Sequence, residues 1–376
     1  MENDKRPDDR NARVYIDGCF DMVHFGHANA MRQAKALGKY LVVGVHSDAD
    51  ITVNKGAPAY PEEERYKLIR AIKWVDEAME ASPYFYDVSF LDKIGCDFVA
   101  HGDDISHSIV TGGDAYITQK QSGRYREFRR TNGVSTTDII GRILRMTKEH
   151  HQPNQEESIT KEEAGAIGQG PDAKSPYTTV THFIPTSNRI YQFSNGVEPK
   201  PGDKIVYTAG SFDLLHAGHV DFLEEAAKQG DYLIVGVHTD QVVNKYKGSN
   251  HPIMNLHERV MSVLSIKYVS EVVIGASYTL SKLMMAQFKI DVVVHGQTPI
   301  LPEDGHDPYE EARERGIFKV INSGNTLSTN DIIQRIVEYR LQFEERNKKK
   351  EAAEIEHINQ QVAAMDAVHG LECREG

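Results

Sequence analysis

The residues of this chain that are best placed to do chemistry form two short copies of one pattern, His24-Phe25-Gly26-His27 and His216-Ala217-Gly218-His219. Histidines three apart on the first turn of a helix share a face, so both imidazoles reach one point. Each copy follows a β-rich run and opens a stretch of helical spacing. A helix start offers free N–H groups and the positive end of its dipole to an anion. Gly26 and Gly218 allow close backbone approach at that place. Two imidazole donors beside such amides suit the charge that builds on a phosphoryl group during transfer. A bare pair of this kind also fits a surface turn or a partial metal site. Zinc would want a third and fourth ligand, and none is spaced nearby, so no metal ligands are assigned. Recurrence in the same strand–motif–helix setting favours the phosphate reading.

Three further groups fit the same chemistry. Arg130-Thr131-Asn132-Gly133-Val134-Ser135-Thr136-Thr137 runs into the apolar Ile139-Ile140. Its hydroxyls, its amides near Gly133 and its arginine make a triphosphate cradle, although Ser and Thr are also ordinary N-caps. Lys55, on a loop beside Gly56, either neutralises a further phosphate or is a plain surface lysine. His101-Gly102-Asp103-Asp104 follows an apolar strand. Its carboxylates suit an ammonium, a sugar hydroxyl or Mg²⁺, or belong to an ordinary turn.

The elements that must position these residues also repeat. Val14 to His27 (VYIDGCFDMVHFGH) returns as Val206 to His219 (VYTAGSFDLLHAGH). Val43–Asp48 returns as Val235–Asp240, Lys55-Gly56 as Lys247-Gly248, and Glu64-Arg65 as Glu258-Arg259. Ile72–Val75 matches Ile266–Val269, His101-Gly102 matches His295-Gly296, and Asp138–Ile140 matches Asp331–Ile333. A spacing that drifts by a residue or two over so many matches marks a duplication with small loop changes. In each copy short apolar strands such as Tyr40–Val45 and Asp97–Ala100 alternate with helical stretches such as Ala28–Gly38. That order builds right-handed βαβ units and a parallel sheet with its ligand crevice at the carboxyl ends of the strands. The expected fold is α/β: two tandem domains, residues 12–150 and 204–340, each a parallel sheet flanked by helices. Residues 151–203 read as a linker, partly packed through the apolar and aromatic residues of 178–193. Residues 341–376 read as a polar helical tail, in which Lys348-Lys349-Lys350 is followed at once by Glu351 and suits solvent better than a membrane.

Bulk properties set the remaining limits. The 376 residues carry a formal net charge of −12, with 26% charged and 40% hydrophobic residues, a globular balance. Such a charge argues against general affinity for nucleic acid or anionic membranes, but not against local binding of a small phosphorylated substrate. The three cysteines, Cys19, Cys96 and Cys373, make no disulfide framework, and a reducing, cytoplasmic setting is expected. Residues 1–11 are charged and lack a secretory core, and no apolar run reaches the ~18 residues of a membrane span.

Together these motifs resemble the cytidylyltransferases of phospholipid synthesis, which combine H-x-G-H after G-x-F-D, a Lys-Gly loop and R-T-x-G-x-S-T-T. Two tandem domains with a short polar tail look like the ethanolamine-phosphate branch of that family, over about residues 12–350. The resemblance implies two Rossmann-like nucleotidyltransferase domains. It implies that CTP and phosphoethanolamine give CDP-ethanolamine and pyrophosphate, with Mg²⁺ accompanying CTP. It assigns catalysis to His24, His27, Lys55 and Arg130. Gly18, Cys19, Phe20, Gly26, His101 to Asp104 and Gly133 to Thr137 would contact the nucleotide, and Arg65 and Trp74 would shape the acceptor pocket. In the second copy the nucleotide set would be Ser211, Phe212, His216 to His219, Lys247, His295, Gly296, Gln297, Thr298, Asn325, Thr326, Leu327, Ser328 and Thr329. That copy departs from the pattern: Ser323 stands for Arg130, Thr326 for Gly133, Tyr268 for Trp74, and Gln297-Thr298 for Asp103-Asp104. The first copy is therefore expected to turn over, and the second to bind CTP, contribute less or regulate. Peripheral membrane association and a homodimer remain compatible with the sequence.

Overall fold

The apolar runs become central strands because burial on both faces demands continuous hydrophobicity. In the computed structural model, β1 (Arg13–Gly18) pairs with β2 (Tyr40–Val45) from Arg13↔Tyr40 to Gly18↔Val45, and with β4 (Phe98–Gly102) on its other side. With β3 (Glu77–Met79) and β5 (Tyr125–Phe128) they form an all-parallel sheet of order β3-β2-β1-β4-β5. The helices of this half are α1 (Phe25–Ala36), α2 (Asp48–Lys55), α3 (Glu62–Ala71), α4 (Val88–Ile94), α5 (Ile117–Gln121) and α6 (Thr136–Arg145). The structure describes residues 11–103, 114–131, 133–145, 190, 192–194, 196–303, 305–345 and 347–348. Asp104 and Asn132, and most of 151–203 and 341–376, lie outside the described residues.

The second half repeats the first. It contains β6 (Ile205–Gly210), α7 (Ala217–Ala227), β7 (Tyr232–His238), α8 (Asp240–Lys247), α9 (Leu256–Leu264) and β8 (Glu271–Ala276). It continues with α10 (Lys282–Gln287), β9 (Val292–His295), α11 (Glu310–Glu314), β10 (Phe318–Val320) and α12 (Thr329–Glu338). Its sheet, β10-β9-β6-β7-β8, is the first sheet's order read from the other edge. In each sheet the order reverses beside the first strand, where a parallel sheet opens a crevice at its carboxyl edge. Gly18 and His101-Gly102 end strands on that edge in the first half.

The two halves share one hydrophobic core. Val14 and Ile16 of β1 and Val206 of β6 belong to it, whereas the alternate residues Tyr15 and Tyr207 face separate outer clusters. Polar contacts across the seam come in exchanged pairs, as in a two-fold dimer folded from one chain. Ile72 and Ile266 form an antiparallel bridge, flanked by Lys73 N donating to Ser265 O and Lys267 N donating to Ala71 O, both at 2.9 Å. Arg142 on α6 holds Glu258 with both guanidinium nitrogens, at 2.6 and 2.8 Å. Arg335 on α12 holds Glu64 at 3.0 and 3.1 Å in the same way. Other seam contacts have no exchanged counterpart. Lys67 bonds Asp221 at 2.8 Å, while Met261 and Asn29 occupy the exchanged positions. From the linker, Phe193 is buried edge-on against Trp74, with ring centroids 4.8 Å apart.

Burial pushes the Glu258 carboxyl up despite Arg142, so its charge depends on that partner. Removing the arginine would leave a buried carboxylate unpaired. Arg142→Met should lower unfolding stability by about 3 kcal/mol. Adding Glu258→Gln to Arg142→Met should restore part of the loss in chemical denaturation.

Candidate active site

The loop between β1 and α1 is held in a costly shape. Phe20 and Met22 adopt left-handed φ of 47° and 49°, a region that bulky residues avoid at about 1–3 kcal/mol each. Two anchors keep it there. The Asp21 carboxylate accepts from the Ala59 and Tyr60 amides at 2.9 Å, and its carbonyl accepts from Thr136 Oγ1 at 2.8 Å. The Ala59-Tyr60 segment before α3 and the first residue of α6 are thus fastened to the same aspartate. This shape delivers His24 as the N-cap of α1.

Backbone amides orient both imidazoles. Gly26 N donates to His24 Nδ1 at 3.1 Å, and His24 N donates to His27 Nδ1 at 3.4 Å. A ring nitrogen that accepts carries no proton, so the neutral rings bear theirs on Nε2. The rings stack with centroids 3.9 Å apart, presenting two parallel donors. A Cβ on Gly26 would stand 2.9 Å from the His24 ring and 3.0 Å from Val134, so glycine is required between the histidines.

Lys55 ends α2 and caps on Gly56, whose φ is 91°. Its ammonium lies 5.9 Å from the centre of the Tyr84 ring, and Cys19 and Tyr84 hold its pKa above the ordinary lysine value. Across the loop, Ser135 Oγ accepts from Asp138 N at 3.0 Å, and α6 starts at Thr136. Thr131 accepts from Asn29 Nδ2 at 2.8 Å, and Arg130 N donates to Asp103 at 2.8 Å. The cradle residues therefore border the histidine helix.

Beside them opens a cleft of about 60 Å³, lined by Asp17, Gly18, His46, Lys55, Tyr84, Phe85, Tyr86, His101, Ala115 and Tyr116. Asp17 is its buried charge. The Tyr86 and Tyr116 hydroxyls donate to Oδ1 at 2.7 and 3.1 Å, and His46 Nε2 faces Oδ2 at 3.4 Å. Burial would raise this carboxyl, but His46, Tyr86 and His101 outweigh it and hold it below the usual value. A carboxylate and aromatic rings at one end, with Lys55 bordering the same cleft, suit a ligand with an ammonium and a phosphate.

Two residues assigned to the acceptor pocket stand elsewhere. Arg65 is fully buried, donating to Tyr60 O at 3.1 Å, Cys19 O at 2.7 Å and Asp48 Oδ1 at 2.7 Å. It braces the Gly18–Phe20 strip from behind. Trp74 packs on Phe193 at the seam and does not line the cleft. The motif reading missed Asp17, His46, Tyr84, Phe85, Tyr86 and Tyr116. A signal did exist, since Asp17 is an acid at the end of an apolar strand where the repeat has Ala209.

The profile of the cytidylyltransferase-like family matches residues 15–142 and 207–335. The chain is 51% identical to the ethanolamine-phosphate cytidylyltransferase of Mus musculus, covering 93% of this chain and 91% of that one. It is 52% identical to the protein of the same name in Dictyostelium discoideum, covering 93% and 97%. For the one in Arabidopsis thaliana the identity is 44%, covering 93% and 85%. The chain belongs to the ethanolamine-phosphate cytidylyltransferases. No helix among its described residues is long and apolar enough to cross a membrane.

Within this cytidylyltransferase the two histidine pairs differ. Phe212 and Leu214 repeat the strained φ values, and Asp213 repeats the anchoring to Ile253 N and Met254 N at 2.8 and 2.9 Å. His216 and His219 stack at 3.8 Å, yet both His216 ring nitrogens and His219 Nδ1 are buried without a hydrogen bond. Leu327 O lies 2.5 Å from where a Gly218 Cβ would be, so the cradle backbone presses closer here. Asn325 fixes that segment by donating to Asp221 at 2.7 Å. Lys247 ends α8, His295 ends β9, and Ser328 caps α12. Gln297 and Thr298 follow His295-Gly296, and Thr329 donates to Asp213 O at 3.0 Å.

Burial, with Lys247 nearby, lowers the His216 pKa from 6.5 to about 4, against the smaller opposing pull of Asp213 and Asp331. A histidine held neutral takes up its proton first in the unfolded chain. The stability is full above pH 6.5 and declines as pH falls toward 4. His216→Gln should flatten the dependence of the denaturation midpoint between pH 6.5 and 5 by roughly one proton per chain.

Proposed function

We infer that this enzyme transfers the cytidylyl group of CTP to phosphoethanolamine, giving CDP-ethanolamine and pyrophosphate for phosphatidylethanolamine synthesis. The observation that carries the reading is the first-half cleft, where a buried Asp17 carboxylate ringed by tyrosines shares a wall with Lys55. A primary ammonium donates to Asp17 and lies against the rings, while the phosphate turns toward Lys55 and the histidines.

In this reading a phosphoethanolamine oxygen attacks the α-phosphorus in line and pyrophosphate leaves. No protein nucleophile is used. The Nε2–H groups of His24 and His27 donate to the α-phosphate oxygens as their charge rises, aided by the α1 amides. Lys55 reduces repulsion between the two approaching phosphates. Ser135, Thr136 and the amides near Gly133 hold the leaving pyrophosphate, with Arg130 supplying charge. The cradle's donors are hydroxyls, amides, imidazoles and cations. They suit phosphate and not a bare metal, so Mg²⁺ accompanying CTP would be held by phosphate and water oxygens and would supply charge neutralisation. The free thiols Cys19 and Cys96 fit a cytoplasmic reaction.

His24→Ala should cut pyrophosphate release by about a hundredfold or more, whereas His216→Ala should cost much less. Equal losses would defeat the assignment of turnover to the first half. Asp17→Asn should raise the KM for phosphoethanolamine by roughly a hundredfold with a far smaller change for CTP. In competition, phosphocholine should lose to phosphoethanolamine because a quaternary ammonium has no N–H to give Asp17. An equal kcat/KM for the two acceptors would overturn the cleft assignment.

A further inference from the structure

The two oxygens of Asp17 have different surroundings. Oδ1 already accepts from the Tyr86 and Tyr116 hydroxyls, at 2.7 and 3.1 Å. Oδ2 faces His46 Nε2 at 3.4 Å. Two hydroxyls fill the accepting capacity of Oδ1, so an incoming ammonium is directed to Oδ2 and meets His46 there. His46 follows β2 and is 4% exposed, with its ring tilted against Tyr84 at 4.7 Å between centroids. Its Nδ1 lies 3.1 Å from Ser82 O. A carbonyl only accepts, so Nδ1 carries a proton in either charge state of the ring. That leaves Nε2 as the variable atom. With a proton it donates to Asp17, and without one it presents a lone pair beside Oδ2.

The second half shows what the carboxylate adds. His238 repeats His46, with Nδ1 2.9 Å from Ala276 O. Ala209 stands on β6 where Asp17 stands on β1, each paired with the glycine of the neighbouring strand. With no carboxylate at that position, burial holds the His238 pKa below the ordinary histidine value. In the first half the His46 imidazolium is instead one of the groups that keep Asp17 ionised. Their contact is slack, since a charge-assisted N–H···O bond contracts to about 2.7–2.9 Å. The other titratable groups lining the cleft are Lys55 from the end of α2, Tyr84 and Tyr86 from the segment before α4, His101 from β4 and Tyr116 from the turn before α5. Asp17 is the one carboxylate among these described lining residues. A substrate ammonium added to Lys55 and a protonated His46 would set three cations around one buried anion, which like-charge repulsion opposes.

We propose that His46 is a second hydrogen-bond acceptor for the primary ammonium, and that phosphoethanolamine enters the cleft in exchange for the His46 Nε2 proton. The proposal rests on the reading of the Asp17 cleft given above. The Nε2–H bond breaks, its electron pair stays on the nitrogen, and the proton leaves to solvent. The ammonium keeps its three N–H bonds and donates one to Asp17 Oδ2 and one to His46 Nε2, atoms close enough for one nitrogen to reach both. One positive charge replaces another, so the buried carboxylate is never left without a counter-charge. Ser82 O holds the ring in the tautomer that frees Nε2 for this exchange. A quaternary ammonium has no N–H for the bared nitrogen, so the proton stays and the two cations repel.

Steady-state kinetics of the full chain at saturating Mg²⁺-CTP, followed across the range in which imidazoles titrate, tests the exchange. His46→Asn keeps an N–H for Ser82 O and removes Nε2. At about pH 8 its KM for phosphoethanolamine should exceed the wild type's by about tenfold, with a smaller change in kcat. At about pH 5.5 the wild-type ring holds its proton, so the ratio of the two KM values should fall toward one or below it. The titration of the substrate's own phosphate is common to both proteins and cancels in this ratio. A ratio that stays constant with pH overturns the proposal, because a merely structural loss raises KM equally throughout. His46→Gln, whose amide does not titrate, should show the same fall and serves if His46→Asn does not fold. Selectivity for phosphoethanolamine over phosphocholine at about pH 8 should drop about tenfold in His46→Asn, and selectivity as high as the wild type's also overturns the proposal. An Asp17→Asn variant with an unchanged KM for phosphoethanolamine would instead defeat the reading of the cleft itself, whatever the pH dependence at His46.

Discussion

A guanidinium removed from water must find acceptors or destabilise the fold, and each half of this chain is assembled around one that does. Arg65 and Arg259 are both fully buried. Each gathers three separate segments: the carbonyl in the loop before the histidines, the carbonyl just before its own helix, and an aspartate on the preceding helix. The histidine loop, the lysine helix and the seam helix are therefore fixed relative to one another by one side chain. A charge so placed tolerates little displacement of any partner, because a lost hydrogen bond to it costs more than a neutral one. The positions of His24 and Lys55 follow from this constraint more than from their own contacts.

The same helices form the seam. Glu64 and Glu258 directly precede the buried arginines and receive Arg335 and Arg142 from the cradle helices of the opposite halves. Tyr60, whose carbonyl Arg65 holds, reaches across to the Leu214 and Leu215 carbonyls just before His216. Each half's phosphate cradle is thus braced on the other half's arginine helix. A half separated from its partner would expose the shared apolar face and lose these braces. The two halves are therefore bound to each other structurally even where their motif residues differ.

Much of the fold was legible because it rests on local signals. Apolar runs of strand length, the Gly38 stop and the repeated H-x-G-H gave both sheets and the edge carrying the chemistry. The histidines open α1 and Ser135 precedes α6, as the spacing placed them, whereas Lys55, expected on a loop, is the last residue of α2. The cleft around Asp17 was not legible in the same way. Asp17, Tyr84, Tyr86 and Tyr116 come from a strand end and two separate loops, and only the β1-β4 neighbour relation brings them together. Arg65 and Trp74 have the residue types of a binding pocket, yet tertiary demands claim them for a buried brace and for the seam. Residue type suggests chemistry. Only packing decides whether the side chain is available for it.

The two H-x-G-H motifs show how far identity of sequence falls short of identity of state. Gly26 N bonds the imidazole of His24, whereas the corresponding cap bond is missing at His216. The altered cradle accounts for a difference of this kind. With Leu327 in place of Val134 and Asn325 pinned to Asp221, the backbone carbonyl of residue 327 is the nearest group to a Cβ on Gly218, whereas the His24 ring and a Val134 methyl are nearest at Gly26. Asp221 is in turn held by Lys67 from the first half, a polar seam contact without an exchanged counterpart. The asymmetry therefore runs as a continuous chain of contacts from the first half's seam helix to the second half's histidines. Equal motifs, set in unequal surroundings, present their donors differently, and the chemistry follows the surroundings.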